Sequence, residues 1–127
     1  MGKQMITTKN APAAIGPYSQ GIETGGLVFV SGQIPANPED GAVVSGSVAA
    51  EAAQSLENVG AVLAAAGLTY DDVVKTTVYL RDMADFAAVN EVYARYFSAP
   101  YPARACVAVA GLPKDVRVEI EAVAQKR

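Results

Sequence analysis

The chain has 127 residues, of which 51% are hydrophobic, with one cysteine, no histidine and a net charge of −3. That is enough for one domain with a real core, and the missing histidine removes Ser-His-Asp and Cys-His catalysis together with every His-based metal site. A lone cysteine forms no internal disulfide, scattered Lys and Arg argue against a nucleic-acid partner, and no apolar run approaches the ~20 residues of a membrane span.

The opening Met1-Gly2-Lys3-Gln4-Met5 lacks the apolar core of a signal peptide, so the expectation is a soluble, cytoplasmic protein. Met5 to Thr7 is a short β-type stretch, broken by Lys9-Asn10-Ala11-Pro12. In Ala13 to Tyr18, Pro17 fixes its own φ and restricts Gly16 before it, which makes a rigid loop holding Tyr18. Tyr18 is then either a presented side chain or an amphipathic residue packed at the core edge. Ser19 to Thr24 and Leu27 to Gln33 read as two strands, and Gly25-Gly26 between them signals a hairpin. Gly32 lies inside the second strand pattern and suggests a bulge or the close approach of another group. Pro35 to Gly41 is a turn-rich loop without the glycine and lysine spacing that cradles phosphate.

Ser47 to Ala66 reads as the first helix, with Val48, Ala52, Leu56, Val59, Leu63 and Ala66 as its apolar stripe. Ser47 caps its start and Gly67 stops it. Val73 to Leu80 is a strand. The second helix is expected from Met83 to Ser98, capped by Asp82, with Phe86, Val89, Tyr93 and Phe97 facing the core and Pro100 ending it. Asn90 lies beside that stripe; its amide either bonds a neighbouring strand or points into a site, and the structural role is favoured because buried amides usually bond backbone.

Pro102 to Val109 is a strand whose alternation puts Ala103, Ala105, Val107 and Val109 on one face and Arg104, Cys106 and Ala108 on the other. A guanidinium on a buried face needs a partner. That partner is either a small substrate's carboxylate, or one of the chain's own acids, or water. Gly111 to Asp115 turns the chain into a last strand, Val116 to Gln125. Its apolar face is Val116, Val118, Ile120, Ala122 and Ala124; Arg117, Glu119, Glu121 and Val123 form the other.

The element order is β-β-β-α-β-α-β-β. Two helices cover only one face of about six strands. The other face is expected to carry Thr77, Tyr79, Cys106, Ala108 and Val123 together with Arg104 and Glu119. A mixed patch of that kind marks association, so a homo-oligomer is expected with its sheets face to face and sites at subunit seams.

Four segments together resemble the RidA (YjgF-type) family of enamine/imine deaminases. They are Gly16-Pro17-Tyr18-Ser19-Gln20-Gly21, Ser31-Gly32-Gln33-Ile34-Pro35, Pro102-Ala103-Arg104-Ala105-Cys106-Val107 and Val118-Glu119-Ile120-Glu121. The resemblance runs from about Ala11 to Arg127; Gly111 departs from it, standing where close relatives of the bacterial type often carry Arg. The resemblance implies a single chorismate-mutase-like α+β domain over residues 1–127, a homotrimer, and sites between subunits. It implies hydrolysis of 2-imino acids, formed from 2-aminoacrylate and 2-aminocrotonate, to 2-oxo acids and ammonia, with no cofactor and no metal. By position, Arg104 is the carboxylate-binding group, Glu119 the water-positioning carboxylate and Tyr18 a further catalytic group. Ser31, Gly32 and Cys106 line the pocket, with Asn90 nearby.

The residue types suit that chemistry. The planar fork of Arg104 grips a carboxylate through two charge-assisted bonds. An iminium is already electrophilic, so the remaining task is to place water and move protons, which a carboxylate with raised pKa does. On its own, without the motif, Glu119 reads first as an exposed strand carboxylate, the normal state of a glutamate. Cys106 has no histidine to activate it and is assigned to the pocket lining, mainly through its backbone. Alternatives are a non-catalytic trimer binding 2-oxo acids or client proteins, an RNA-cleaving protein, and a chorismate-mutase-like isomerase. The acidic balance opposes the second, and the shortage of cationic groups opposes the third.

Overall fold

The computed structural model describes residues 2–44 and 46–127. Its strands are β1 (Gln4–Ile6), β2 (Gly21–Thr24), β3 (Leu27–Gln33), β4 (Val73–Leu80), β5 (Ala103–Ala108) and β6 (Val118–Gln125). The helices are α1 (Val48–Ala65), between β3 and β4, and α2 (Phe86–Tyr93), between β4 and β5. The strands form one mixed sheet in the order β1-β2-β3-β6-β4-β5. Only β4 and β5 pair in parallel, joined across α2; every other pair is antiparallel. The last strand thus inserts into the middle of the sheet. Its core face explains why: Val118, Ile120, Ala122 and Ala124 are all buried, and the strand packs against α1.

Local chemistry places the boundaries. Ser47 Oγ accepts from the Ala50 N–H and starts α1, and Gly67 at φ 78° takes the left-handed turn that ends it. Gly25 and Gly26 both have positive φ, which fits the twist of the β2–β3 hairpin. The buried stripe of α1 holds Val48, Ala52, Leu56, Val59 and Leu63 as expected, but it is wider and partly polar. Asn58 donates to the Ile34 and Ala36 carbonyls at 3.2 and 2.9 Å and so fixes the chain leaving β3. Glu51 accepts from Arg117 N and Nε at 2.9 and 2.6 Å, tying the helix start to the start of β6.

The second helix is shorter than the expected Met83 to Ser98. Met83–Asp85 forms a separate tight turn capped by Asp82, and regular α geometry stops at Tyr93. Beyond it, Arg95 and Tyr96 make i→i+3 bonds to Val92 and Tyr93. The physical reason is aromatic packing: Phe97 sits against Tyr93 and Tyr70, and Tyr70 against Tyr96, at ring separations of 4.5–5.7 Å. This draws the chain inward before Pro100 and Pro102 start β5.

Both helices lie on one face of the sheet, as expected. The side on which β5 presents Arg104 is not as expected. Arg104 is in register with Thr76, which is buried under α2 and bonded to Tyr93. Arg104, Cys106 and Ala108 therefore face the helices, and Ala103, Ala105 and Val107 face the open side. The open face carries Phe29, Thr77, Tyr79, Val107, Glu119, Glu121 and Val123. Phe29 and Val107 are 42% and 45% exposed there, so the uncovered apolar surface is real although its composition differs. Alternation fixed which residues share a face of β5, but an edge strand of small residues carries no hydrophobic contrast to say which face meets the helices.

Candidate active site

The expected site residues fall into two groups on opposite faces of the sheet. The first gathers around Arg104. Its guanidinium stacks over Tyr93 at 4.8 Å and Phe86 at 5.6 Å from the ring centroids, and Nη1 donates to Asn90 Oδ1 at 2.7 Å. Phe86, Asn90 and Tyr93 are spaced i, i+4, i+7, one face of a helix, and that face of α2 is turned to β5. The Tyr93 hydroxyl is itself held, 2.7 Å from Thr76 Oγ1. Among the described residues no carboxylate forms an ion pair with Arg104. The arginine lines a cavity of about 430 Å³ with Asn90, Tyr93, Tyr101 and Pro102. Asn90 is exposed and bonds a side chain, which corrects the favoured reading of a buried amide satisfied by backbone. Cys106, next on this face, is partly buried; burial pushes its thiol up and the Arg104 charge opposes this.

The second group gathers around Glu119 on the open face. Pairing between β3 and β6 slips between Val30 and Gln33, and Gly32 lies in this irregularity. A methyl group at Gly32 would overlap the Glu119 carboxylate and come 2.9 Å from its Cδ. A side chain at this position would have to displace the Glu119 carboxylate. Glu119 is partly buried; burial and then the like charge of Glu121 raise its pKa. A carboxyl of this kind takes and gives a proton more readily near neutrality than an ordinary surface glutamate.

Tyr18 and Gly32 wall a cavity of about 520 Å³ with Ile15, Gln33, Pro113 and Lys114. Tyr18 is 53% exposed, and its phenol oxygen accepts from the Ile15 N–H at 3.4 Å. Ser31 Oγ donates to the Ser19 carbonyl at 2.5 Å and leaves its lone pairs available. Gln20, absent from the sequence-based site, anchors the whole loop. Its amide is buried, accepts from Thr8 N–H at 2.7 Å and donates to the Thr8, Ala11 and Pro12 carbonyls. A lone Gln after a Pro-Tyr-Ser loop gave a weak signal of that role; the i, i+4, i+7 spacing of Phe86, Asn90 and Tyr93 gave a stronger one for the arginine platform.

Within one chain the two groups do not meet. β4 lies between β5 and β6, and Arg104 and Glu119 pair with its Thr76 and Tyr79, three residues apart, so the two stand about 14 Å apart along and across the sheet and on opposite faces. This corrects the expectation that both belong to one face.

Fold and site define a small α+β domain with an arginine at one sheet edge that has no carboxylate partner among the described residues, and a carboxylate of raised proton affinity on the uncovered face. The sequence profile of a family described as endoribonuclease L-PSP matches residues 8–126. The chain is 57% identical over 125 residues to the 2-iminobutanoate/2-iminopropanoate deaminase of Salmonella typhimurium, covering 96% of this chain and 97% of that protein. Among solved structures, the Escherichia coli YjgF gene product superposes with a TM-score of 0.93 at 54% identity, over 98% of this chain and 99% of that one. Escherichia coli TdcF with bound serine gives 0.93 at 50% identity, over 98% and 99%. The chain belongs to the RidA (YjgF-type) family.

Proposed function

We propose that this chain is a 2-iminobutanoate/2-iminopropanoate deaminase, hydrolysing 2-imino acids to 2-oxo acids and ammonia. Relatives at 56–57% identity over nearly the whole chain carry that name. The observation that carries the reading is Arg104: a guanidinium held by two aromatic rings and an amide, beside a cavity, with no acid of its own chain as partner among the described residues. Such a preset fork suits a carboxylate.

In this reading Arg104 binds the substrate carboxylate, with the backbone at Cys106 beside it. Glu119 takes a proton as a water oxygen adds to C2 of the iminium. That proton passes to the carbinolamine nitrogen; Glu119 then takes the hydroxyl proton as the C–N bond breaks, so ammonia leaves and the carbonyl forms, and the carboxyl returns this proton to solvent. The substrate is already electrophilic, so positioning and one acid-base group suffice; the latter supplies about 10²–10⁴-fold. Tyr18 closes the pocket and donates a hydrogen bond, and Ser31 and Gly32 line it. A molecule this small cannot touch Arg104 and Glu119 of one chain at once. We therefore assign the complete site to the boundary between two copies, within a homotrimer whose open faces cover Phe29 and Val107. The reaction is placed in the cytoplasm, where the enamines are released. The net charge of −3 and the scatter of basic residues give the endoribonuclease wording of the family description no electrostatic footing.

The test couples a pyridoxal-phosphate dehydratase to ammonia and oxo-acid appearance. Faster release with the wild type than without it, and loss of the excess in Arg104→Ala and Glu119→Gln, is expected. Tight 2-oxo acid binding with no acceleration would favour the non-catalytic alternative.

A further inference from the structure

The turn Pro113–Asp115 holds two consecutive non-glycine residues in the left-handed region, Lys114 and Asp115, both at φ 56°. Each costs energy that glycine would not. Both sides of the turn are pinned. Arg81 Nη1 lies 2.7 Å from Asp115 Oδ1 and donates to the Asp115 carbonyl at 2.6 Å. On the other side Lys114 Nζ donates to the Gly41 carbonyl at 3.1 Å. Gly41 belongs to a second stiff turn, closed by Gly41 N–H to Asn37 O and by Asn37 N–H to Ala42 O, both at 2.8 Å. Asn37 and Asp40 side chains accept from Glu39 and Ala42 N–H groups within it. Lys114 thus bridges two rigid turns, and both turns wall the cavity that holds Tyr18 and Gly32.

Strain retained in a pinned turn at a cavity rim points to a role beyond closing the chain. Pro12, Pro38 and Pro113 give the same cavity further stiff walls. If the substrate's carboxylate is at Arg104 and its C2 at Glu119, the substituent left to place is the side chain, and this cavity is where it goes. We propose that Lys114 is a specificity-determining residue: its stem and its bond to Gly41 fix the far wall of the cavity and limit how bulky an imine side chain is accepted. This rests on the imine-hydrolysis reading above. Its ammonium also offsets Glu39 and Asp40, which line the same rim near an anionic substrate.

The experiment supplies 2-iminopropanoate and its phenyl-bearing analogue, each released in situ by an amino-acid oxidase, to the wild type, Lys114→Ala and Lys114→Arg. The expected result is a rise of about tenfold in the ratio of kcat/KM for the phenyl over the methyl imine in K114A, a magnitude set by what a pocket contact is worth in discrimination. K114R, which restores bulk and a donor to Gly41, returns the ratio towards wild type. If K114A melts early, K114M keeps the stem without the donor and is read for the same rise. A ratio unchanged from wild type in a folded variant, or an equal fall on both imines, overturns the specificity role alone. No turnover of either imine by the wild type overturns the proposed function and this assignment with it.

Discussion

Mixing two inactive variants tests the split site directly. Arg104→Ala removes a charge-assisted fork, and two such bonds at about 1.5–3 kcal/mol each predict a loss of at least 10²-fold in kcat/KM. Glu119→Gln removes the acid-base group, for about 10²–10⁴-fold. Neither chain alone, nor any chain in the mixture, carries both residues. If one copy supplies Arg104 and the next Glu119, random trimers of an equal mixture place an intact Arg104 beside an intact Glu119 in about a quarter of sites. The two proteins are unfolded together, refolded, and assayed for ammonia release against each variant refolded alone. Recovery of about 25% of wild-type activity is expected. Activity that stays at the level of the single variants, in mixtures shown to contain mixed trimers, would refute the argument from opposite faces.

Three further outcomes follow from the geometry. Gly32→Ala drives a methyl group into the Glu119 carboxylate, and a displacement near 1 Å at a reacting group predicts about 10²-fold loss of kcat with the fold intact by circular dichroism. Ser55 Oγ is buried in α1 with no hydrogen-bond partner among the described residues, so Ser55→Ala is expected to stabilise the chain by about 1 kcal/mol, read as a higher Tm. Glu119 holds its proton more tightly folded than unfolded, so the native state binds more protons between the ordinary glutamate value and the raised one. Stability therefore falls as pH rises through that window, and Glu119→Gln flattens this part of the Tm-against-pH curve.

Much of the fold was legible in the chain because local rules sufficed for it. Ser47 and Gly67 bound α1, Gly25-Gly26 sets the hairpin, and the alternation in Val118 to Ala124 marks a strand with one buried face. Gly32 announced a close approach, though the sequence could not say that Glu119 was the group approaching. The residues of the candidate site were legible one by one, through motifs that each fix a side chain on a strand or loop. What remained for tertiary structure was side and distance. Arg104 belongs to the helix face since α2 turns Phe86, Asn90 and Tyr93 onto the edge strand, a contact between segments that no period along β5 encodes. Glu119 belongs to the opposite face, and β6 sits between β3 and β4 with its buried side packed under α1. Sequence determined which groups exist and which neighbours share a face; packing between distant segments decided that the arginine and the glutamate of one chain never meet.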